Sequence, residues 1–589
     1  MLKPSFLTNV RHRLARSEAH VQLAILGVLS GIGAGFLIVL FRFSFEIPQF
    51  ALLPDHNPEN YEGLPLLLRF SLPLTGALLI AAVFHYLSKA ERRVGVGHVI
   101  ERLHHHQGYL PLKAMVAQFA VGAISILSGH SAGREGAAVH LGAASSSQLG
   151  QFMKLPNNTI RILLGCGTAA AISASFNTPI AGVIFAMEVV MMEYTINTFV
   201  PVILASVSGA IITRIFYGQA PAFDLPVMTM ASLYELPFLL FMGVTIGCFA
   251  AIFNHTAVFV ARKSTELNLW MRLGLAGVIT GVAAMMVPEI MGIGYDTVTE
   301  ALNGRLTLAL LITIFMAKLF VTAICAGLGL PAGLIGPSLV IGACCGAATG
   351  IMGASLMPDF ASNAGFYSIL GMGAMMGAVI NAPLAALTAL MEMTANTHIV
   401  MPSMLVIVIS NLIAREYFNS KPIFTALLET QGIQHRDHPV AQWLDRSGVA
   451  EVMETQVLRQ HYLLSLADAQ SLLQKKPTWI VIDKENTPVA LLPTSDLASY
   501  LSKVAEETED DQEPEPLPLD KTINLLEIAA QRKDLAAIGL QATLREAVDM
   551  LNTKQVEALY VERNESPATK SFYGIVTRLA IENFYSYRP

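Results

Sequence analysis

GHSAGREGAAVHLGA (129–143) and GLPAGLIGPSLVIGA (329–343) are one motif written twice, 200 residues apart. Gly129, Ala132, Gly133, Gly136, Gly142 and Ala143 recur as Gly329, Ala332, Gly333, Gly336, Gly342 and Ala343. A second pair follows in the same order: NTPIAGVIFAME (177–188) and NAPLAALTALME (381–392) share Asn, Pro, Ala, Met and Glu. Two motifs in the same order in both halves make an internal repeat. In transporters such repeats place the substrate site at their interface, with the N-termini of broken helices aimed at anionic groups.

The surroundings of the repeats are those of a membrane protein. The chain has 589 residues, 53% of them hydrophobic and 14% charged, far from the balance of soluble domains. Segments 21–46, 66–88, 234–261, 269–290 and 307–326 are long enough to span a bilayer. Others, at 111–128, 136–150, 159–174, 178–192, 335–356, 365–380 and 383–394, read as short and broken by glycine or proline. Discontinuous helices at membrane depth are tolerated where they line a polar cavity or are buried in protein. The expected fold is an all-α polytopic membrane domain with two inverted repeats of broken helices, over 21–430. Residues 1–20 precede it with Lys3, Arg11, Arg13 and Arg16, which predicts a cytoplasmic N-terminus and no cleavable signal.

Past Arg415 the composition turns polar. A linker is expected at 431–446, then two small α/β units at 447–503 and 522–589 with strands such as WIVI (479–482) and ALYV (558–561). The acidic, Pro-rich stretch within 504–521 predicts a disordered connector.

Each A-G-x-x-G precedes an apolar helical stretch. Glycine lets the backbone turn and expose amides, and a helix N-terminus carries unsatisfied donors and about half a positive charge. Two such ends facing one another predict an anion site. Arg134 and Glu135 sit side by side in the first motif, where charge at bilayer depth marks a pathway. An ionised Glu135 mimics the anion and competes for its place; a protonated one leaves. That predicts a gate coupled to pH.

With these motifs in hand, residues 20–430 resemble the CLC family of chloride channels and proton/chloride exchangers, and the C-terminal pair resembles CBS domains. GREGA (133–137) resembles the family's GREGP, which implies Glu135 as the gate, flanked by Gly133, Arg134 and Gly136. GLIGP (333–337) resembles GxFxP, which implies Leu334 and Ile335 as amide donors to the anion, with Gly333 at the same site. GVGHV (95–99) stands where the family has GSGIP, so Val96 replaces a serine, and Phe424 replaces the inner tyrosine. The exchangers' second, proton-carrying glutamate follows a first one; here Glu188 is followed by Val189. Two lost hydroxyls at about 1.5–3 kcal/mol each weaken a central site, and weak binding favours throughput.

The resulting expectation is a passive, glutamate-gated anion channel, with chloride as the default ion. The alternative is a proton-coupled exchanger with an atypical proton route, through Glu188 or water. A CBS-containing divalent-cation transporter is a distant alternative, since the core offers few convergent carboxylates. Resemblance further implies a homodimer in a bacterial inner membrane with cytoplasmic termini. In the CBS pair, Asp496 and Thr577 each keep part of an adenine-nucleotide pattern, while Pro493 and Ala580 break it. Glu188 and Glu392 end equivalent helices, which favours a structural role for both. HHH (104–106) reads as a polar connector and the five cysteines as buried small side chains, with no metal site. A net charge of −6 gives no reason to expect nucleic acid, and no P-loop or nucleophile elbow suggests an enzyme.

Overall fold

The computed structural model describes residues 14, 19–223, 228–331, 333–356, 358–433, 439–485, 487–509, 522–564 and 570–586. The chain divides into two compact units, one made of 21–154 with 160–436, the other containing 437–589.

The first unit is helical. Its helices are α1 (His20–Leu52), α2 (Leu66–His85), α3 (Gly95–His105), α4 (Leu112–Leu127), α5 (Glu135–Phe152), α6 (Asn157–Phe176), α7 (Pro179–Phe185) and α8 (Ile196–Tyr217). The second half adds α9 (Leu236–Lys263), α10 (Leu269–Met286), α11 (Tyr295–Leu302), α12 (Leu308–Gly327), α13 (Ile335–Leu356), α14 (Ala364–Ile380), α15 (Pro383–Thr394), α16 (Val400–Leu412) and α17 (Ile423–Thr430). Among the described residues, nine helices are long and apolar enough to cross a membrane.

Four of those nine differ from the sequence expectation. The segments read as short at 159–174 and 335–356 are the long helices α6 and α13. Helix α8 and the span Val400–Tyr417, which begins with α16, were not expected as spans. Pro201 and Pro402 interrupt their apolar runs. Pro402 falls in the first turn of α16, where its missing donor is not needed, and α8 continues through Pro201.

Close glycine contacts hold the two halves in matching form. A Cβ on Gly142 would strike the Gly167 carbonyl, and one on Gly342 would strike the Gly371 carbonyl. Helix pairs α5/α6 and α13/α14 therefore approach through equivalent glycines, the small-residue contact that replaces a hydrophobic driving force in lipid.

The second unit begins with α18 (Pro439–Arg446), inside the segment read as a linker. Its amphipathic face carries Trp443 against Phe584 and Leu444 in the core. The next half contains β1 (Val457–His461), β2 (Leu463–Ser465), α19 (Leu466–Gln474), β3 (Trp479–Lys484), β4 (Thr487–Pro493) and α20 (Thr494–Glu509). The last contains β5 (Thr522–Asn524), β6 (Lys533–Gly539), α21 (Leu544–Lys554), β7 (Ala558–Asn564), β8 (Lys570–Thr577) and α22 (Arg578–Ser586). β1 runs parallel to β3 and β3 antiparallel to β4; β6, β7 and β8 repeat that pattern. Each parallel pair needs a crossover, supplied by α19 and α21. The halves join edge to edge through antiparallel β4 and β6. Residues 504–509 of the expected acidic connector are the end of α20, and its remainder lies outside the described residues.

Candidate functional site

The repeated motif builds the same turn twice. Gly129 and Gly329 both take left-handed backbone, φ +69° and +83°, where a side chain is strained. Gly129 N donates to Ile126 O and His130 N to Ser125 O; Gly329 N donates to Ala326 O and Leu330 N to Cys325 O. These bonds stop α4 and α12 in the same way. The two motifs then meet. Gly133 N donates to Gly333 O at 2.8 Å and Gly333 N to Gly133 O at 3.1 Å. Helices α5 and α13 start two residues later, at Glu135 and Ile335. Two helix N-termini thus lie beside one reciprocal glycine bridge, with Leu334 and Ile335 at the second.

Glu135 occupies that junction. It is wholly buried. Its Oε2 accepts the Gly336 amide at 3.1 Å, and its Oε1 accepts the Tyr295 hydroxyl at 2.7 Å. The carboxylate of the first repeat therefore sits on the helix N-terminus of the second. Gly133 makes room for it, since a Cβ there would collide with Oε2. Gly136 lies close to Gly333, where an added Cβ would stand 2.9 Å from its amide.

Arg134 is tied elsewhere. Its guanidinium donates to Ser175 O at 2.9 Å and lies 3.5 Å from Glu46 Oε1. It also stands 5.5 Å over the Tyr295 ring. Glu46 is held in turn by Arg42 and the Tyr217 hydroxyl. Behind Tyr295, the Glu59 carboxylate accepts the Asp296 amide at 2.8 Å. Glu59 lies in the loop between α1 and α2, and burial, with Asp296 adding repulsion, pushes its carboxyl up to about 7.

Val96 and Phe424 bring apolar side chains and no hydroxyl. Val96 is 2% and Phe424 8% exposed. Gly95 opens α3 with φ +79° and donates its amide to Gln118 at 2.6 Å. A Cβ on Gly97 would stand 3.7 Å from the Phe424 carbonyl, so the two segments are neighbours. A small cavity beside Ile335 is lined only by apolar residues, among them Ile172, Phe176, Phe185 and Met376.

Glu188 and Glu392 form a reciprocal pair. Glu188 accepts the amides of Leu384 and Ala385 at the start of α15, at 3.3 and 2.7 Å. Glu392 accepts those of Ile180 and Ala181 at the start of α7, at 3.0 and 2.8 Å. Each half caps the other half's helix. Asn177 and Asn381, both left-handed, and the prolines Pro179 and Pro383 set up the two starts. Val189, next to Glu188, is buried.

Tyr295, Gln118 and the Glu59–Asp296 pair were not expected from sequence. Tyr295 follows GIG (292–294), with Gly294 at φ +85°; that glycine turn was the available signal. HHH (104–106) is not a free connector: His104 and His105 end α3. Of the cysteines, Cys248 is half-buried and the other four are buried.

A voltage-gated chloride channel family model matches residues 76–415, more than half of the chain. This chain belongs to the CLC family. Two relatives, the H+/Cl− exchange transporters ClcA of Citrobacter koseri and Salmonella agona, are each 30% identical over 328 residues, 54% of this chain and 68% of theirs. Among solved structures, a slow cyanobacterial Cl−/H+ antiporter matches with a TM-score of 0.62 at 23% identity, over 70% of this chain and 99% of that one. A eukaryotic CLC transporter matches with a TM-score of 0.59 at 17% identity, over 95% of this chain and 98% of that one. The chain is thus a CLC-type membrane protein that transports anions, followed by an α/β region.

In that α/β region, both candidate nucleotide residues have internal partners. Asp496 accepts the Gln531 amide at 2.8 Å, and Thr577 Oγ1 accepts the Ala580 amide at 3.2 Å.

Proposed function

We propose that this chain exchanges protons for a small anion, chloride by default, through a pathway gated by Glu135. The observation that carries this reading is the Glu135 carboxylate seated on the Gly336 amide. A helix N-terminus that holds a carboxylate holds an anion equally well, so the two compete. Protonation removes the charge that seats Glu135, and the anion takes its place. Proton and anion occupancy are thereby linked. The names of the ClcA relatives support exchange over the passive channel. Gly133, Gly136, Gly333, Leu334 and Ile335 would frame the anion with backbone, and Arg134 would hold the motif to α6 and α1.

A passive channel is the second reading. Val96 and Phe424 offer the anion no hydroxyl, and Val189 offers the proton no carboxylate. Glu188 gives both oxygens to helix α15, which supports a structural role for it and for Glu392.

Reconstitution into liposomes with an imposed chloride gradient, recording chloride and external pH together, separates the two. Exchange moves protons uphill, driven by the chloride gradient. Chloride flux with no proton movement leaves the channel.

The repeated β-α-β-β-α pattern supports a CBS pair over 447–503 and 522–589. The internal partners of Asp496 and Thr577 support a structural role over adenine-nucleotide binding. A homodimer in a bacterial inner membrane, with cytoplasmic termini, completes the proposal.

A further inference from the structure

Two buried histidines stand outside the gate, the glycine bridge and the reciprocal caps. His98 lies in α3, two residues past Val96, and is 2% exposed; His140 lies in α5, five residues past Glu135, and is wholly buried. Their ring centroids are 5.1 Å apart with an interplanar angle of 19°, so the rings lie edge to edge in nearly one plane. His98 Nδ1 is 2.9 Å from His140 Nε2.

Arg102 fixes where the protons are. Its Nε donates to His98 Nε2 at 3.0 Å, and a guanidinium only donates. His98 Nε2 is therefore an acceptor, and the His98 proton sits on Nδ1. That N–H donates to His140 Nε2, which leaves the His140 proton on Nδ1. His140 Nδ1 is buried and has no hydrogen-bond partner among the described residues. The result is a directed line of N–H groups, from Arg102 through His98 to an orphaned donor on the gate helix. Its other end, Arg102, is half-buried near the end of α3. Arg93, 37% exposed, pairs with the Glu101 carboxylate, and His106, 48% exposed, lies 3.9 Å from it. Among the described residues, Arg102, Arg93 and His106 are, besides His140, the charged and titratable groups that face the His98 ring, and Arg102 also faces His140.

Apolar side chains would join α3 to α5 without an orphaned donor, and native interiors rarely tolerate one without a use. Exchange, on which this inference rests, needs a proton path to Glu135. Glu188 is committed to α15, and the cavity beside Ile335 is apolar.

We propose that His98 and His140 form a proton relay between the solvent-facing end of α3 and Glu135. A proton bonds to His98 Nε2 as Arg102 withdraws its donation. The His98 Nδ1–H bond breaks and its proton crosses to His140 Nε2. The His140 Nδ1–H bond then breaks and its proton passes, through water, to the Glu135 carboxylate. Five helical residues advance about 7.5 Å along the axis and about 140° around it, so this last leg passes around α5 through water. Each ring gains and loses one proton, and ring rotation restores the starting tautomers.

The test uses the full-length protein in liposomes, with proton and chloride fluxes recorded together for wild type, His140→Gln and His98→Asn. Both amides keep the inter-ring hydrogen bond and take up no proton. Chloride turnover is expected to stay within about threefold of wild type, while protons moved per chloride fall at least tenfold. A variant with normal chloride turnover and an unchanged proton ratio overturns the relay and leaves exchange standing. Wild-type protein that moves chloride without protons overturns both. Where one variant fails to fold, the other breaks the same line at the other ring.

Discussion

Replacing Tyr295 with phenylalanine removes one hydrogen bond and leaves the ring. The hydroxyl donates to Glu135 Oε1 at 2.7 Å, a short bond to a group that acts as an anion when seated. Such a bond contributes about 1.5–3 kcal/mol. One pH unit corresponds to about 1.36 kcal/mol between two protonation states. The Gly336 amide still holds Oε2, and water can reach part of the vacated space, so the lower end applies. In Tyr295→Phe the seated, charged form is destabilised, and protonation frees the gate under less acidic conditions. Chloride efflux from liposomes, measured across a pH series, should reach half its maximum about one unit higher than in wild type. In Glu135→Gln the flux should be flat with pH, and adding Tyr295→Phe to it should change nothing further. A Tyr295→Phe curve that superimposes on wild type, or moves to lower pH, refutes the reasoning.

Val96→Ser and Phe424→Tyr each supply a hydroxyl; at about 1.5–3 kcal/mol per bond to an anion, either should tighten chloride binding about tenfold or more by calorimetry, and unchanged affinity would show that these side chains do not reach the ion. Gly333→Ala places a Cβ against the Gly133 carbonyl, so the protein should melt at lower temperature and lose anion flux; wild-type behaviour in both would contradict the tight bridge. Glu188→Ala strips a cap worth about 0.5–2 kcal/mol, lowering thermal stability with the proton-to-chloride ratio unchanged, and an altered ratio would put Glu188 in the proton path. Glu59, its carboxyl raised to about 7 by burial, favours the folded state while protonated and loses that contribution as pH climbs from the ordinary carboxylate range through 7. Glu59→Gln should therefore narrow the gap in melting temperature between acidic and mildly alkaline buffer, and an undiminished gap would count against a buried, raised carboxyl.

What could be read in the chain was whatever repeats. Gly129 and Gly329, Glu135 and Ile335, Asn177 and Asn381 mark turns and helix starts twice over, and the turns and starts are where those residues put them. The spans were harder to place. Pro201 and Pro402 break the hydropathy of their helices without breaking the helices. The reciprocity of Glu188 and Glu392 was invisible, since each cap joins residues about two hundred positions apart. Tyr295 belongs to neither repeat, so only the glycine turn at 292–294 points to it. His98 and His140 each look like a lone polar residue in an apolar run until the two helices are side by side.

The exchange of caps between α7 and α15 has a consequence for synthesis. The amides of Ile180 and Ala181 have no acceptor from Glu392 until the ribosome has made residue 392, more than two hundred residues later. The first half must wait, with the end of that helix open, for the second to arrive. Two copies of a single half, arranged about a two-fold axis, would make this contact twice by symmetry. The folded chain therefore carries, as an intramolecular clasp, the contact by which two separate half-length subunits would recognise one another.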